Sequence, residues 1–98
     1  MTVTIEWSKE AEVTFNQVVT QIGEKWTERE VENFIARSEK VIESIRKNPS
    51  LYPYSKKGLV HRAVITKQTS LFYHNPIAGK VILLSFEDNR QNPSKLKY

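Results

Sequence analysis

Cysteine is absent from the 98 residues, which removes disulfide frameworks, thiolate zinc sites and cysteine nucleophiles together. Long apolar runs are missing as well: the longest, Val81–Leu84, falls far below the roughly 20 residues of a membrane span. Met1-Thr2-Val3-Thr4-Ile5 carries neither the basic nor the apolar region of a signal peptide, so the expected compartment is the cytoplasm, without membrane contact. There is no internal repeat or low-complexity tract, and 39% hydrophobic with 27% charged residues is ordinary globular composition, against disorder or a fibrous repeat. At this length one domain spanning residues 1–98 is expected. Acids are scarce in the second half. Residues 49–98 hold eight Lys/Arg and two acids, net +6; residues 1–48 hold seven and nine, net −2; the sum is the formal +4. A basic half points to an anionic partner, nucleic acid or an acidic protein segment, and charge alone does not choose between them.

Val3, Ile5 and Trp7 alternate with Thr2, Thr4 and Glu6, the period-two pattern of a strand with one buried face. Ser8 then reads as a helix N-cap, with Glu10 and Glu12 in the first turn and Ala11, Phe15, Val18, Val19 and Ile22 on one face. The pattern predicts a helix from Lys9 to about Ile22, with Gly23 just past its end. Thr27 and Glu30 form a capping box opening a second helix, whose stripe runs through Val31, Phe34, Ile35, Ser38, Val41, Ile42 and Ile45 until Asn48-Pro49 stops it. So short a link makes the two helices an antiparallel hairpin. Residues 49–58 carry two prolines and read as an irregular loop. Strands are expected near Val60 to Ile65, Ser70 to Asn75 and Val81 to Phe86, separated by Lys67-Gln68-Thr69 and Pro76-Ile77-Ala78-Gly79. The last, apolar on both faces, belongs inside the sheet. The order β-α-α-β-β-β therefore predicts an α+β domain, a helical hairpin on one face of a small, mostly antiparallel twisted sheet. The other face is expected to be exposed, concave and basic.

Several of these residues together resemble the RelE/ParE superfamily of bacterial toxins. They are Trp7 and Ala11 at the strand-to-helix join, Ile22 to Trp26 between the helices, Phe34, Ile45-Arg46-Lys47-Asn48-Pro49, Arg62 and Leu71-Phe72-Tyr73. Above all there is Phe86-Glu87-Asp88-Asn89-Arg90-Gln91-Asn92-Pro93. The resemblance covers nearly the whole chain. It implies the toxin of a type II toxin-antitoxin pair, neutralised by a cognate antitoxin protein in a hetero-oligomer, with no cofactor and no metal. Two targets occur in that superfamily: RelE-like members cleave mRNA in the ribosomal A site, and ParE-like members inhibit DNA gyrase. The long second helix and its opening Trp26-Thr27-Glu28-Arg29 resemble the ParE-like branch. The antitoxin is expected to lay an amphipathic segment with acidic residues across the helices or along the basic sheet.

RNA cleavage through the ribose 2′-OH requires a proton acceptor, cationic donors for the phosphorane and an acid for the leaving oxygen. If the chain is a nuclease, the resemblance assigns phosphate stabilisation to Arg90 and Arg62. His61 and His74 are the candidates for proton transfer, because an imidazole titrates near neutrality. Lys56 and Lys57, with Arg62 and Arg90, are the expected nucleic-acid contacts. Ser70 stands where RelE-like nucleases carry an arginine, a departure that favours the gyrase branch. Phe72 is expected in the core, and Tyr98 resembles the C-terminal tyrosine of some nucleases. The rival reading is a non-toxic basic binding module, for which the charge of the second half is sufficient.

Overall fold

At Ser8 the chain turns from a strand, β1 (Thr4–Trp7), into a helix, α1 (Lys9–Lys25). The Ser8 backbone is extended, and its hydroxyl accepts from the Ala11 N–H at 3.0 Å, satisfying one of the amides that a helix start leaves open. The computed structural model describes residues 3–55 and 60–90. Gly23 does not end α1: the helix continues to Lys25, and its last turn closes by the Trp26 N–H donating to the Ile22 carbonyl at 2.8 Å. A left-handed conformation is what makes glycine the usual terminator, and among the described glycines only Gly79 adopts it (φ 85°). Thr27 caps the second helix, α2 (Glu28–Lys47), by accepting from the Glu30 N–H, one of the two bonds of a capping box. The two helices form the expected hairpin.

Beyond α2 the loop is less irregular than its prolines suggest, because Tyr54–Ser55 forms a two-residue edge strand, β2, on the next strand. The remaining strands are β3 (Val60–Val64), β4 (Thr69–Ile77) and β5 (Lys80–Asp88). The sheet order is β1-β5-β4-β3-β2, with β1 parallel to β5 and all other neighbours antiparallel. The mainly apolar β5 is thus interior, as expected. Pro76 and Ile77 extend β4, and the reversal narrows to Ala78-Gly79.

Alternation along the strands assigns the faces. Ile5, Trp7, Ala63, Leu71, Tyr73, Val81, Leu83 and Phe86 meet Ala11, Phe15, Phe34 and Ile45 of the hairpin in one apolar core. Phe15 sits at its centre, 5.4 Å from Trp7, 5.1 Å from Phe86 and 5.6 Å from Phe34 between ring centroids. Phe72 pairs with Ser85 and Tyr73 with Leu83, so Leu84 is the extra residue of a β-bulge. Here β1 has ended, and α1 takes over the strand edge. Ser8 Oγ donates to the Leu84 carbonyl at 3.0 Å, and Thr14 Oγ1 accepts from the Phe86 N–H at 2.9 Å. Two backbone groups that β1 no longer reaches are thereby satisfied.

The face turned away from the hairpin is not open throughout. Val60, Ser70, Phe72 and Ser85 are all buried, with Phe72 only 5% exposed. Phe72 is therefore buried, but on the face opposite the main core. Arg62 and Val64 of the same face are exposed.

Candidate functional site

Arg62 and Ser70 lie on adjacent strands of the face away from the hairpin, and Asn89 follows the end of β5. The Arg62 guanidinium donates through Nε to Ser70 Oγ at 3.1 Å and through Nη2 to Asn89 Oδ1 at 2.7 Å, while Ser70 Oγ donates to the same Asn89 oxygen. Asn89 is itself fixed: its Nδ2 donates to the Lys67 carbonyl at 3.2 Å, and its backbone N–H to the Gln68 carbonyl at 2.7 Å. The end of β5 is thus tied to the turn joining β3 to β4. Each acceptor around Arg62 is neutral, so the guanidinium is held in place with its charge uncompensated by any of these partners. Ser70, standing where the resemblance leads one to expect an arginine, positions an arginine carried by the neighbouring strand.

Arg90 is held differently. Its Nε and Nη2 donate to Asp88 Oδ1 at 3.0 Å and Oδ2 at 2.8 Å, and its backbone N–H donates to Oδ1 at 2.8 Å. The side-chain hydrogen bond from Arg90 holds the Asp88 carboxyl below its ordinary range, and the same pair raises the guanidinium above its own. The Arg90 side chain is 67% exposed, so this bidentate pair stands in water.

His61 belongs to the other face, paired in register with Tyr73. Its ring stacks on Tyr73 (4.8 Å, 11°) and lies against Tyr54 (4.9 Å, 55°). Nδ1 faces the Tyr52 carbonyl at 2.9 Å. A carbonyl oxygen only accepts, so Nδ1 carries the hydrogen of this contact. Tyr73 OH donates to the Pro49 carbonyl at 2.7 Å, and burial pushes its phenol up to about 12. This aromatic group ties the loop after α2 to the sheet. His74 shares the face of Arg62 and is half-buried opposite Ile82.

Of the four residues assigned to a nuclease, the structure thus puts Arg62 and His74 on one face and His61 on the other, with Arg90 bound to its own neighbour at the end of β5. Lys56, Lys57 and Tyr98 lie outside the described residues. Asn89 was not singled out by sequence, although it stands within the Asp88-Asn89-Arg90 stretch that carries the resemblance. Among the described residues no group of three His, Asp or Glu gathers as metal ligands, and no helix is long and apolar enough to cross a membrane.

No protein-family model and no curated protein matches this sequence. Among solved structures, the chain is similar in fold to one described as a chromosomal ParDE TA system from P. aeruginosa, with a TM-score of 0.72. The match covers 89% of this chain and 96% of that one at 7% identity, a likeness of fold and not of sequence.

Proposed function

We propose that this chain is the growth-inhibiting toxin of a type II toxin-antitoxin pair, kept inactive by a cognate antitoxin and acting on DNA gyrase in the manner of the ParE-like branch. The observation that carries the reading is the fold shared with a ParDE chain over 89% of this chain and 96% of the other. A fold alone does not assign a target, and the arrangement of polar groups supplies the argument for gyrase. A ribosome-dependent nuclease requires its base, acid and phosphate donors to converge within hydrogen-bond reach of one reacting phosphate. Here His61 faces away from Arg62, and Arg90 already gives two side-chain donors to Asp88.

The second reading, a RelE-like mRNA endonuclease, is favoured by one feature: Arg62, held by neutral acceptors on the same face as His74. Induction of the chain in bacteria separates the two. The proposal expects gyrase supercoiling to be blocked while mRNA at the ribosomal A site stays intact, and toxicity to survive His61→Ala and His74→Ala. Ribosome-dependent cuts soon after induction, reduced about 10²-fold or more by Arg90→Ala, would establish the nuclease instead.

A further inference from the structure

The turn joining β4 to β5 ends in an apolar tip. Ile77, the last residue of β4, is 64% exposed, and no large apolar side chain among the described residues is more so. Ala78 follows it, then Gly79 at φ 85° and Lys80, where β5 begins. Turns of this length are ordinarily built from Asn, Asp and Gly, which water solvates well. Here an isoleucine stands in water at the tip. Because β4 runs from the β3–β4 turn to this one, the tip lies at the end of the sheet opposite the cluster of Arg62, Ser70 and Asn89.

The backbone of the tip is held from several sides. Oriented so that its nitrogen meets acceptors, the Asn75 side-chain amide donates to the Lys80 carbonyl at 2.6 Å and to the Ile77 carbonyl at 2.8 Å. Pro76, between Asn75 and Ile77, has its φ fixed by its ring. From β1 the Thr4 N–H donates to the Gly79 carbonyl at 2.8 Å. One residue earlier, the Val3 carbonyl accepts from Arg46 Nη1 of α2 at 3.1 Å. An exposed side chain on so fixed a backbone has little freedom left to lose on binding.

The charges beside the tip cancel one another. Lys80 is paired with Glu6 at 3.3 Å, and Arg46 with Glu43 at 3.1 Å. A nucleic acid is bound by cations free to meet phosphate, and these two already have carboxylate partners. An apolar side chain ringed by compensated charge instead matches an apolar pocket in a protein surface. A second copy of this chain is the weaker candidate, since stable interfaces bury roughly 800 Å² on each partner and one isoleucine with an alanine supplies a small part of that.

We propose that this tip, with Ile77 as its anchor, is a contact through which the chain engages its protein target, Ile77 entering an apolar pocket of gyrase. The proposal rests on the gyrase reading above and deepens it by naming the side chain that makes the contact. Burial of a preorganised apolar side chain supplies affinity, and the surrounding pairs keep the rim neutral.

The test is inhibition of supercoiling by purified gyrase, titrated with the wild-type chain and with Ile77→Asp, Ile77→Ala and Ile77→Leu. The same four proteins are titrated with the purified product of the gene adjacent to this one and melted to check their fold. The half-inhibitory concentration is expected to rise at least about tenfold in Ile77→Asp, to rise less in Ile77→Ala, and to stay near wild type in Ile77→Leu, which keeps volume and polarity. Affinity for the adjacent product should be the same for all four. Ile77→Asp inhibiting as well as the wild type would overturn the proposal and leave gyrase as the target. An equal loss of affinity for the adjacent product would give the tip to the antitoxin and overturn it as well. Self-association of the wild-type chain that Ile77→Asp abolishes would assign the tip to a second copy. If the wild-type chain binds the adjacent product and does not inhibit gyrase, the gyrase reading fails and takes this proposal with it.

Discussion

Arg90 and Arg62 are fixed by partners of different kinds, and the difference decides what each offers to a ligand. Asp88 gives both carboxylate oxygens to Arg90, so a phosphate would have to compete with a charge already in place. Arg62 is fixed by a hydroxyl and an amide, which order the guanidinium without neutralising it. At the same scale, Ser85 presents a cost with no visible return. It is fully buried, and its Oγ is the buried side-chain oxygen or nitrogen for which no hydrogen-bond partner is found among the described residues. Leaving a hydroxyl in that state costs about 1–3 kcal/mol. Ser85→Ala is therefore expected to raise the unfolding free energy by about 1 kcal/mol in urea titration, with the slope unchanged. A loss of similar size would show that the hydroxyl is bonded after all.

Among the elements, α1 holds the clearest departure from its sequence. Gly23 lies inside the helix, and a Cβ added there would meet Val31 Cγ2 at 3.7 Å, ordinary van der Waals contact. Gly23→Ala should stabilise the protein by about 0.5–1 kcal/mol, since glycine in a helix interior costs that much relative to alanine. Equal or lower stability in thermal or urea unfolding would mean that α1 does not continue through this position. The caps at Ser8 and Thr27 were legible because each depends on a side chain acting on residues three away. Gly23 was not, because a glycine marks a helix end only when its backbone turns left-handed, and composition does not record that. The pair Tyr54–Ser55 forms a strand only through register with His61 and Val60, which lies outside any local window. Period two alone already separates His61 from Arg62 on opposite faces. What local sequence could not supply was the join between Arg62, Ser70 and Asn89. It spans 27 positions between Arg62 and Asn89 and needs both the sheet register and the turn after β3. The burial of Phe72 and Ser85 was equally invisible, since alternation assigns a face without saying whether that face is open.

For the molecule as a whole, the helical hairpin and the sheet divide the work. The hairpin fills one face of the sheet with the core around Phe15 and keeps Trp26 and Arg37 at its rim, near Lys67 of the turn joining β3 to β4. The sheet half carries the net charge of +6, from eight basic and two acidic residues, and an excess of that size attracts anionic surfaces from a distance. A toxin that must be captured promptly by its antitoxin is served by such steering, and so is a harmless binding module. Their consequences for a cell differ. The most direct measurement is growth of bacteria in which this chain is induced alone and, in parallel, together with the product of the adjacent gene. The account predicts arrest in the first culture and normal growth in the second, with the two proteins recovered as one complex. Unimpaired growth when the folded chain accumulates alone, and no complex with the adjacent product, would contradict it.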